Sequence, residues 1–235
     1  MSELDKDLNE PVGDGSQVKV AAIFDLDRTM TRKDTFIPFL FIALQARPYR
    51  VFHAVLLPLA FLVFKLGLRD NGWLKQVFLR AIAGGATQSQ ISAWSDRLLG
   101  NLMYQGINTQ ALEQLDHHRQ SGHQTILVSA SYDFYVRQLA AEMGFDTAIC
   151  TEAAWTSDAR LSGTSPSGNC YGPVKLQRLR EGFLADRKLW RVVVYSDHCS
   201  DLPLLEWADE AVVVNPGRKA RQMARSRNFE VRHWS

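Results

Sequence analysis

Two aspartates, Asp25 and Asp27, stand at alternate positions directly after a short apolar run, Val20 to Phe24. A run of this length that ends in polar residues is typical of a buried strand. Carboxylates this close together repel each other and resist joint ionisation unless a cation holds them. Mg²⁺ suits that task because hard cations prefer oxygen ligands. The pair therefore predicts a metal site at a strand end, and a solvated turn is the alternative interpretation.

Further polar side chains follow apolar runs in the same way. Ser129 ends a second run, and Asp197 follows a third and precedes Asp201 by four residues. Lys175 stands between them, at the start of a predicted helix. Parallel strands end at one edge of a sheet, so we expect these side chains to converge there with the aspartate pair. Taken alone, Ser129 and Asp201 are good helix N-caps and Lys175 is an ordinary solvated cation.

Strand and helix patterns alternate over most of the chain. Strands are predicted at 20–24, 125–128, 147–150, 191–195 and 211–214, and helices at 133–143, from 175, at 202–207 and from 218 onward. The stretch 151–172, rich in glycine, serine and threonine, predicts a hairpin through Asp158. Alternating strands and helices predict an α/β fold with a doubly wound parallel sheet.

Residues 36–108 interrupt that alternation, because their apolar residues recur at the three- and four-residue spacing of helices. We therefore predict an inserted all-helical block at 36–108 between two parts of one core, residues 17–35 and 109–235. The acidic, polar stretch 1–16 is predicted to form a flexible tail.

The most apolar stretch, residues 51–64, reads VFHAVLLPLAFLVF and is bounded by Arg50 and Lys65. These 14 residues are too few to cross a bilayer as a helix, which takes about 20. Pro58 is expected to kink or end the helix. Two interpretations stay open: a buried helix or oligomer contact, and a helix that lies in a membrane interface beside flanking cations.

Composition excludes several classes. The chain has 235 residues, 46% of them hydrophobic, and a net charge of +2, which is typical of a globular protein and gives no support for a nucleic-acid partner. Cys150, Cys170 and Cys199 form no Cys-x-x-Cys pair, which argues against zinc. The polar N-terminal stretch has no signal-peptide pattern, so we expect a cytoplasmic protein.

Four segments carry the polar residues described above. In chain order they are DLDRT at 25–29, the apolar run ending in Ser129, Lys175, and SDHCSD at 196–201. In them the chain resembles the haloacid dehalogenase-like phosphohydrolases over nearly all of its length beyond the tail. The helical block and the stretch from Gly163 to Lys175 are similar to the phosphoserine-phosphatase-like branch. The resemblance implies a Rossmann-like catalytic core with an inserted helical cap, and a Mg²⁺-dependent phosphatase.

The resemblance implies separate roles for the aspartates. Asp25 would attack phosphorus and form an aspartyl-phosphate. Asp27 would protonate the leaving oxygen and then activate water. Asp25, the backbone carbonyl of Asp27 and Asp197 would hold Mg²⁺, which neutralises phosphoryl oxygens.

The resemblance also implies how the phosphate is bound. Ser129 and Lys175 would bind the remaining phosphate oxygens. Asp201 would position Lys175 or assist the metal. Thr29 would fix the phosphate-binding loop through its hydroxyl.

Two departures from the family pattern bear on the entrance and the substrate. Arg28 stands where many members have glycine, so either the loop needs no positive φ or the cation serves near the entrance. Asp34 falls where the phosphoserine phosphatases place a glutamate that contacts the substrate amine. We predict both residues as substrate contacts.

The substrate class stays open. The apolar stretch followed by a helical block is similar to the bacterial phosphatidylglycerophosphatase members of the superfamily, which act at the inner membrane. That similarity favours a lipid phosphate and peripheral contact with the inner face of the membrane through residues 51–64. A small soluble phosphomonoester such as phosphoserine is the alternative. A non-enzymatic receiver domain phosphorylated on aspartate is a third interpretation, although it has no second carboxylate two residues on and no helical cap.

Overall fold

Among the residues that the structure describes, the strand predicted at 20–24 lies within a six-stranded sheet with the order β3-β2-β1-β4-β5-β6. The computed structural model describes residues 18–234, so the tail predicted at 1–16 lies outside the described residues. Every neighbouring pair of strands is parallel, which confirms the predicted doubly wound α/β fold. The strands are β1 (Lys19–Asp25), β2 (Gln124–Tyr132), β3 (Thr147–Thr151), β4 (Trp190–Ser196), β5 (Glu210–Val214) and β6 (Glu230–Arg232).

Helices cover both faces of this sheet, and the side chains of β1 show why its sequence is apolar from Val20 to Phe24. Val20, Ala22 and Phe24 belong to one apolar cluster, and Ala21 and Ile23 belong to a second. Successive side chains of a strand point to opposite faces, so a strand covered on both sides has no polar positions. The helices are α1 (Phe36–Ala46), α2 (Val51–Ala54), α3 (Leu57–Lys65), α4 (Asn71–Ile82), α5 (Gln88–Asn101), α6 (Thr109–Gln120), α7 (Asp133–Met143), α8 (Pro173–Glu181), α9 (Leu202–Trp207) and α10 (Arg218–Arg227).

The strand register aligns the ends that carry the predicted site. Asp25, the last residue of β1, pairs with Val128 of β2, so Ser129 stands one residue beyond it. On the other side the residue before Asp25 pairs with Tyr195 of β4, two residues before Asp197. Polar residues that are about 100 and 170 positions apart in sequence are therefore brought to one edge of the sheet.

The helical insertion predicted at 36–108 contains α1 to α5 and packs against one face of the core. The ring of Phe39 on α1 lies 5.4 Å from that of Tyr135 and 4.9 Å from that of Phe134, both on α7, between ring centres. Trp94 of α5 lies 6.4 Å from Phe39. The insertion and the sheet thus share one apolar cluster, and the domain boundaries given above stay a prediction.

Both ends of the insertion meet at a neck formed by residues 29–32 and 106–108. Thr31 and Ile107 form an antiparallel bridge. The backbone N–H of Arg32 donates to the carbonyl of Gly106 at 2.8 Å, and that of Asn108 donates to the carbonyl of Met30 at 2.9 Å. The chain therefore leaves the sheet layer and returns to it at one place, next to the aspartate loop.

The apolar stretch at 51–64 is broken into α2 and α3. The break falls at Val55 and Leu56, and Pro58 occupies the first turn of α3, where its missing N–H leaves no helical bond unmade. Among the described residues no single helix is long and apolar enough to cross a bilayer. The two segments Pro48–Ala54 and Leu57–Lys65 together have the length and composition, but the chain bends by 41° between them.

The C-terminal region differs from the sequence interpretation. The helix predicted from 218 onward ends at Arg227, Asn228 follows with a φ of +56°, and the chain returns to the sheet as β6. A strand of three residues with alternating charges carries no readable apolar pattern, so it was not predicted. The hairpin predicted through Asp158 is present as a short one: Trp155 and Leu161 form an antiparallel bridge, and the backbone N–H of Thr156 donates to the carbonyl of Arg160 at 2.8 Å.

Candidate active site

The loop after β1 turns sharply at Arg28. Asp27 keeps an extended conformation with φ −71° and ψ 123°, whereas Arg28 has a φ of +63°. A positive φ strains a residue with a Cβ. The interpretation that the loop needs no positive φ is therefore wrong, because the chain adopts it at Arg28 despite the side chain. The backbone N–H of Arg28 donates to the hydroxyl of Thr31 at 3.3 Å and helps to hold the turn.

Thr31 and Asn108 fix this loop. The hydroxyl of Thr31 lies 3.1 Å from the carbonyl oxygen of Leu26 and 2.8 Å from that of Lys33. The side-chain amide of Asn108 donates to the carbonyl of Thr29 at 2.7 Å. The hydroxyl of Thr29 itself is buried and has no hydrogen-bond partner within residues 18–234. Thr31 therefore fixes the loop through its hydroxyl, and a role for the hydroxyl of Thr29 stays a prediction.

Lys175, in the first turn of α8, lies between two buried carboxylates. Its Nζ is 2.5 Å from Oδ1 of Asp25 and 2.6 Å from Oδ2 of Asp201. The hydroxyl of Ser196 donates to the same oxygen of Asp201 at 2.7 Å. The side chains of Lys175 and Asp201 are 4% and 1% exposed, so water screens these interactions little. The structure thus unites three predicted site residues in one charged cluster.

Burial and mutual repulsion set the protonation of this cluster. Burial raises the pKa of Asp25 well above its ordinary value, while the ammonium of Lys175 lowers it. Burial also acts to lower the pKa of Lys175, but Asp201 and Asp25 outweigh it, so the pKa rises and the group stays cationic. Burial and then Asp201 raise the pKa of Asp197 to about 7. Negative charge at this edge exceeds what one ammonium compensates.

Asp27 has different partners from Asp25, although only one residue separates them. The backbone N–H of Thr35 donates to Oδ1 of Asp27 at 2.6 Å. The hydroxyl of Ser131 donates to Oδ2 at 2.9 Å. These donors come from the start of α1 and the end of β2, so two elements orient one carboxylate.

Of the two serines at the end of β2, Ser131 rather than Ser129 lines the site. Ser129 is fully buried, and its hydroxyl oxygen accepts a hydrogen bond from the backbone N–H of Ser131 at 3.0 Å. Ser129 thereby holds the turn that presents Ala130 and Ser131 to the cavity. Phosphate binding by Ser129 stays a prediction. Sequence reasoning missed Ser131 because two serines in one short segment look equivalent until the strand bulge is known.

A cavity of about 390 Å³ opens between this edge of the sheet and the helical insertion. Seven predicted site residues line it: Asp25, Asp27, Arg28, Asp34, Lys175, Asp197 and Asp201. Thr29 and Ser129 are predicted site residues that do not. Nine further residues complete the described wall: Phe36, Ile37, Asn71, Lys75, Ala130, Ser131, Tyr171, His198 and Ser200.

Arg28 and Asp34 form an ion pair at the mouth of the cavity, with 3.1 Å between Nη2 and Oδ2. Both side chains are more than half exposed, so the pair contributes little to stability. The structure therefore supports the second interpretation of Arg28, in which its cation stands near the entrance. Their contact with a substrate stays a prediction.

Lys75 of α4 brings a second ammonium to the cavity from the insertion. Its Nζ donates to the carbonyl of Ala130 at 2.7 Å and lies 5.1 Å from the ring centre of Phe36. Burial lowers the pKa of Lys75 to about 8, and Asp27 acts in the opposite direction. The sequence offered only a lysine within a helical pattern, which is common on solvated helices.

The donor set predicted for Mg²⁺ consists of the Asp25 and Asp197 carboxylates and the backbone carbonyl of Asp27. Within residues 18–234 no group of three or more histidine, cysteine, aspartate or glutamate side chains is arranged as a metal site. The predicted set is of another kind, because only two of its ligands are side chains and the third is a backbone carbonyl. The carboxylates of Asp25 and Asp197 both line the cavity, at the ends of the neighbouring strands β1 and β4. Oxygen donors of this kind fit Mg²⁺.

Comparison with known proteins gives consistent matches over most of the chain. Residues 22–206 match the family model described as haloacid dehalogenase-like hydrolase. Protein CicA of Caulobacter vibrioides is 31% identical over 191 residues, covering 80% of this chain and 82% of CicA. Phosphoserine phosphatase SerB1 of Mycobacterium tuberculosis is 27% identical over 222 residues, covering 90% of this chain and 70% of SerB1. A Bordetella pertussis protein of unknown function has the same fold, with a TM-score of 0.80 at 22% identity, covering 92% of this chain and 98% of that one.

Proposed function

The chain belongs to the haloacid dehalogenase-like hydrolases and is a phosphatase, and from that premise we propose that it hydrolyses phosphomonoesters through a phosphorylated Asp25. One observation carries the proposal. Two nearly adjacent carboxylates have unlike partners, Asp25 the ammonium of Lys175 and Asp27 the donors Thr35 and Ser131. Unlike surroundings are what a nucleophile and a general acid need if both are to act on one ester.

In the first step a carboxylate oxygen of Asp25 attacks phosphorus, and the bond from phosphorus to the ester oxygen breaks. Asp27 gives its proton to the departing oxygen. In the second step water attacks phosphorus, Asp27 takes up a proton from that water, and the bond to Asp25 breaks. Inorganic phosphate leaves and both carboxyl groups return to their starting state.

Lys175 and its neighbours bind the phosphoryl group in this proposal. The ammonium offsets the repulsion between a dianionic phosphate and Asp25, and Asp201 holds it in place at 2.6 Å. When Mg²⁺ is bound by Asp25, Asp197 and the carbonyl of Asp27, it supplies positive charge for the phosphoryl oxygens. Ser129 and Thr29 remain proposed supports of phosphate binding.

The leaving group is proposed to carry polar or charged atoms next to its phosphate. Arg28, Asp34 and Lys75 stand around the cavity and provide both signs of charge. An amino-acid phosphate such as phosphoserine and a lipid with a phosphorylated headgroup both meet this description. The lipid class has a further observation in its favour, because Phe36 and Ile37 add an apolar side to the same cavity.

The test is hydrolysis of p-nitrophenyl phosphate with Mg²⁺ and with excess EDTA. Asp25→Asn is expected to lower kcat by at least about 10⁴-fold, because the nucleophile is lost. Asp27→Asn is expected to accumulate acid-stable phosphate on the protein, because water is no longer activated. Asp158→Asn, an exposed aspartate, is the matched control. Undiminished turnover by the Asp25→Asn variant would rule out the nucleophile.

The same labelling separates the enzyme from a receiver domain that merely carries phosphate on aspartate. A receiver domain would keep the label for a long time whether or not Asp27 is present. We expect the label on the wild-type protein to be short-lived and that on Asp27→Asn to persist.

A further inference from the structure

The helical insertion exposes a continuous series of large apolar side chains. Of the seventeen large hydrophobic residues that are exposed within residues 18–234, twelve belong to the stretch from 37 to 68. Phe52, Val55 and Leu59 are 79%, 73% and 61% exposed. The helices α1, α2 and α3, which carry most of these residues, all pack against α4. We call the exposed side of these three helices the apolar face.

The exposed residues of the apolar face are not needed to pack α3 on the insertion, because other residues of this helix do so. Leu57 and Ala60 on α3 are buried and anchor that helix to the rest of the insertion. The residues between and beside them, such as Leu59 and Leu62, point outward instead. An exposed apolar surface of this extent marks a site of contact with another molecule or with a membrane.

The charged residues within the stretch that carries the apolar face have one sign. Between Asp34 and Asp70 the chain contains no aspartate or glutamate, but it contains Arg47, Arg50, Lys65 and Arg69. The ammonium of Lys65 lies 5.3 Å from the ring centre of Phe61, so its stem lies along the apolar surface and its charge stands at the rim. An apolar surface with a cationic rim complements anionic headgroups above an apolar interior.

A second copy of the chain fits this face less well. In a two-fold dimer the same patch meets itself, so the cations of one copy would face those of the other. Anionic lipid supplies the opposite charge to every cation at the rim.

The apolar face reaches the cavity. Ile37 lines the cavity and is 57% exposed, and Phe41, one turn further along α1, is 61% exposed. A flat surface laid against α1 to α3 would therefore lie beside the cavity mouth, close to the Arg28–Asp34 pair.

We propose that the apolar face docks on an anionic bilayer, with α2 and α3 lying in the headgroup region and not crossing it. Docking places the cavity mouth at the bilayer surface. The consequence that phosphomonoesters carried by membrane lipids reach Asp25 rests on the function proposed above, whereas docking itself does not.

The experiment is co-sedimentation of the full chain with vesicles. At low salt we expect the wild type to bind vesicles of equal parts phosphatidylglycerol and phosphatidylcholine, and to bind pure phosphatidylcholine at least about tenfold more weakly, because anionic headgroups supply the attraction. Val55→Asp combined with Leu59→Asp should lower the partition coefficient at least about tenfold, because each change exposes a charge where an apolar side chain inserts. Lys65→Glu with Arg69→Glu should weaken binding and reduce its dependence on salt.

Matched controls carry the same chemical changes elsewhere. Leu189→Asp replaces an exposed leucine outside the insertion, and Arg221→Glu reverses a charge on the basic helix α10. Both should bind vesicles like the wild type. Equal thermal unfolding and equal hydrolysis of p-nitrophenyl phosphate without vesicles show that the variants are folded.

Two results with vesicles overturn the proposal: wild-type protein that stays in the supernatant at low salt, or undiminished binding by the Val55→Asp/Leu59→Asp variant. A third is a wild-type protein that does not bind vesicles but forms a dimer, if the Val55→Asp/Leu59→Asp variant is monomeric. The last outcome would assign the face to a second copy. Loss of p-nitrophenyl phosphate hydrolysis from Asp25→Asn is scored separately, so failure of docking and failure of the catalytic proposal are distinguishable.

Discussion

At the carboxyl edge of the sheet Asp25, Lys175 and Asp201 are buried charges, whereas on the insertion Phe52 and Leu59 are exposed hydrocarbon. Each arrangement costs stability, since burying ions forfeits hydration and exposing apolar area forfeits the hydrophobic gain. The edge compensates internally, because the ammonium and the carboxylates satisfy one another. The apolar face has no such compensation within residues 18–234 and depends on contact with its surroundings.

This difference teaches how to recognise two kinds of binding surface. A site that must be in place before its ligand arrives is held by internal partners, so single substitutions should damage it. A surface that binds a fluid partner depends on its apolar and cationic character and not on a fixed arrangement of side chains. Single substitutions there should therefore leave the stability of the folded chain unchanged.

The largest effect is expected for Lys175→Met, which removes the ammonium between Asp25 and Asp201. Two buried carboxylates then face each other, so the free energy of unfolding at pH 7 should fall by about 3–5 kcal/mol, and hydrolysis should fall to background. Urea denaturation and the p-nitrophenyl phosphate assay measure the two effects. Lys188→Met, at an exposed lysine, is the control. If the free energy of unfolding falls by less than about 1 kcal/mol, the contrast between the sheet edge and the apolar face is wrong, because the edge would then not depend on its internal ion pairs.

The second prediction compares two leucines on α3 with the same substitution. Leu57→Ala should lower the free energy of unfolding by about 2–4 kcal/mol, because Leu57 is buried. Leu59→Ala should change it by less than about 0.5 kcal/mol, because Leu59 is exposed. Thermal and urea unfolding give both numbers. Equal losses would show that the apolar face is packed in solution.

Ser131→Ala tests whether the partners of Asp27 matter for catalysis. The variant loses the hydrogen bond to Oδ2 of Asp27, and a bond to a charged acceptor contributes about 1.5–3 kcal/mol. We expect kcat to fall by roughly 10–100-fold at unchanged KM, since Ser131 orients Asp27 and is not expected to bind the ester. A rise in KM at unchanged kcat would instead assign Ser131 to phosphate binding. Ser89→Ala, on the exposed side of α5, serves as the control.

The smallest effect is expected for Lys75→Met, which removes the cation that the insertion contributes. KM should rise about tenfold at pH 7 while kcat stays the same, because binding but not chemistry loses a charge. Burial lowers the pKa of Lys75 to about 8, so the wild-type ammonium is present at pH 7 and lost by pH 9. The KM of the wild type should therefore rise over that interval, and the KM of Lys75→Met should not.

Lys75→Arg sharpens the test, because arginine keeps its charge at pH 9. This variant should lose the pH dependence while keeping a KM closer to that of the wild type. An unchanged pH dependence in both variants would show that another group titrates there.

The central strands were predictable because their signal is local. A strand buried on both faces needs an unbroken apolar run, and β1, β2 and β4 each have one that ends in a polar residue. Their parallel pairing then brings Asp25, Ser129 and Asp197 to one edge without further information.

The remaining features depend on contacts between distant segments. Neither the φ of Arg28 nor the pairing of Thr31 follows from residue types, because the neck imposes both through Ile107 and Asn108. Lys75 became part of the site only through the docking of α4 over Ala130. Helical spacing shows that such a helix has an apolar side, but not which residues at its margin reach a cavity.

The neck has a consequence for how this kind of enzyme diversifies. Because Thr31 and Ile107 are paired, the segment between them can change while the strands of the sheet keep their connections, provided that it keeps a donor to Asp27 at Thr35 and an apolar side against α7. A lineage can therefore keep the chemistry of Asp25 and acquire a new ester preference, or a new location in the cell, in a single recombination. Any replacement would be delivered next to the aspartate loop, since the neck fixes where it is attached.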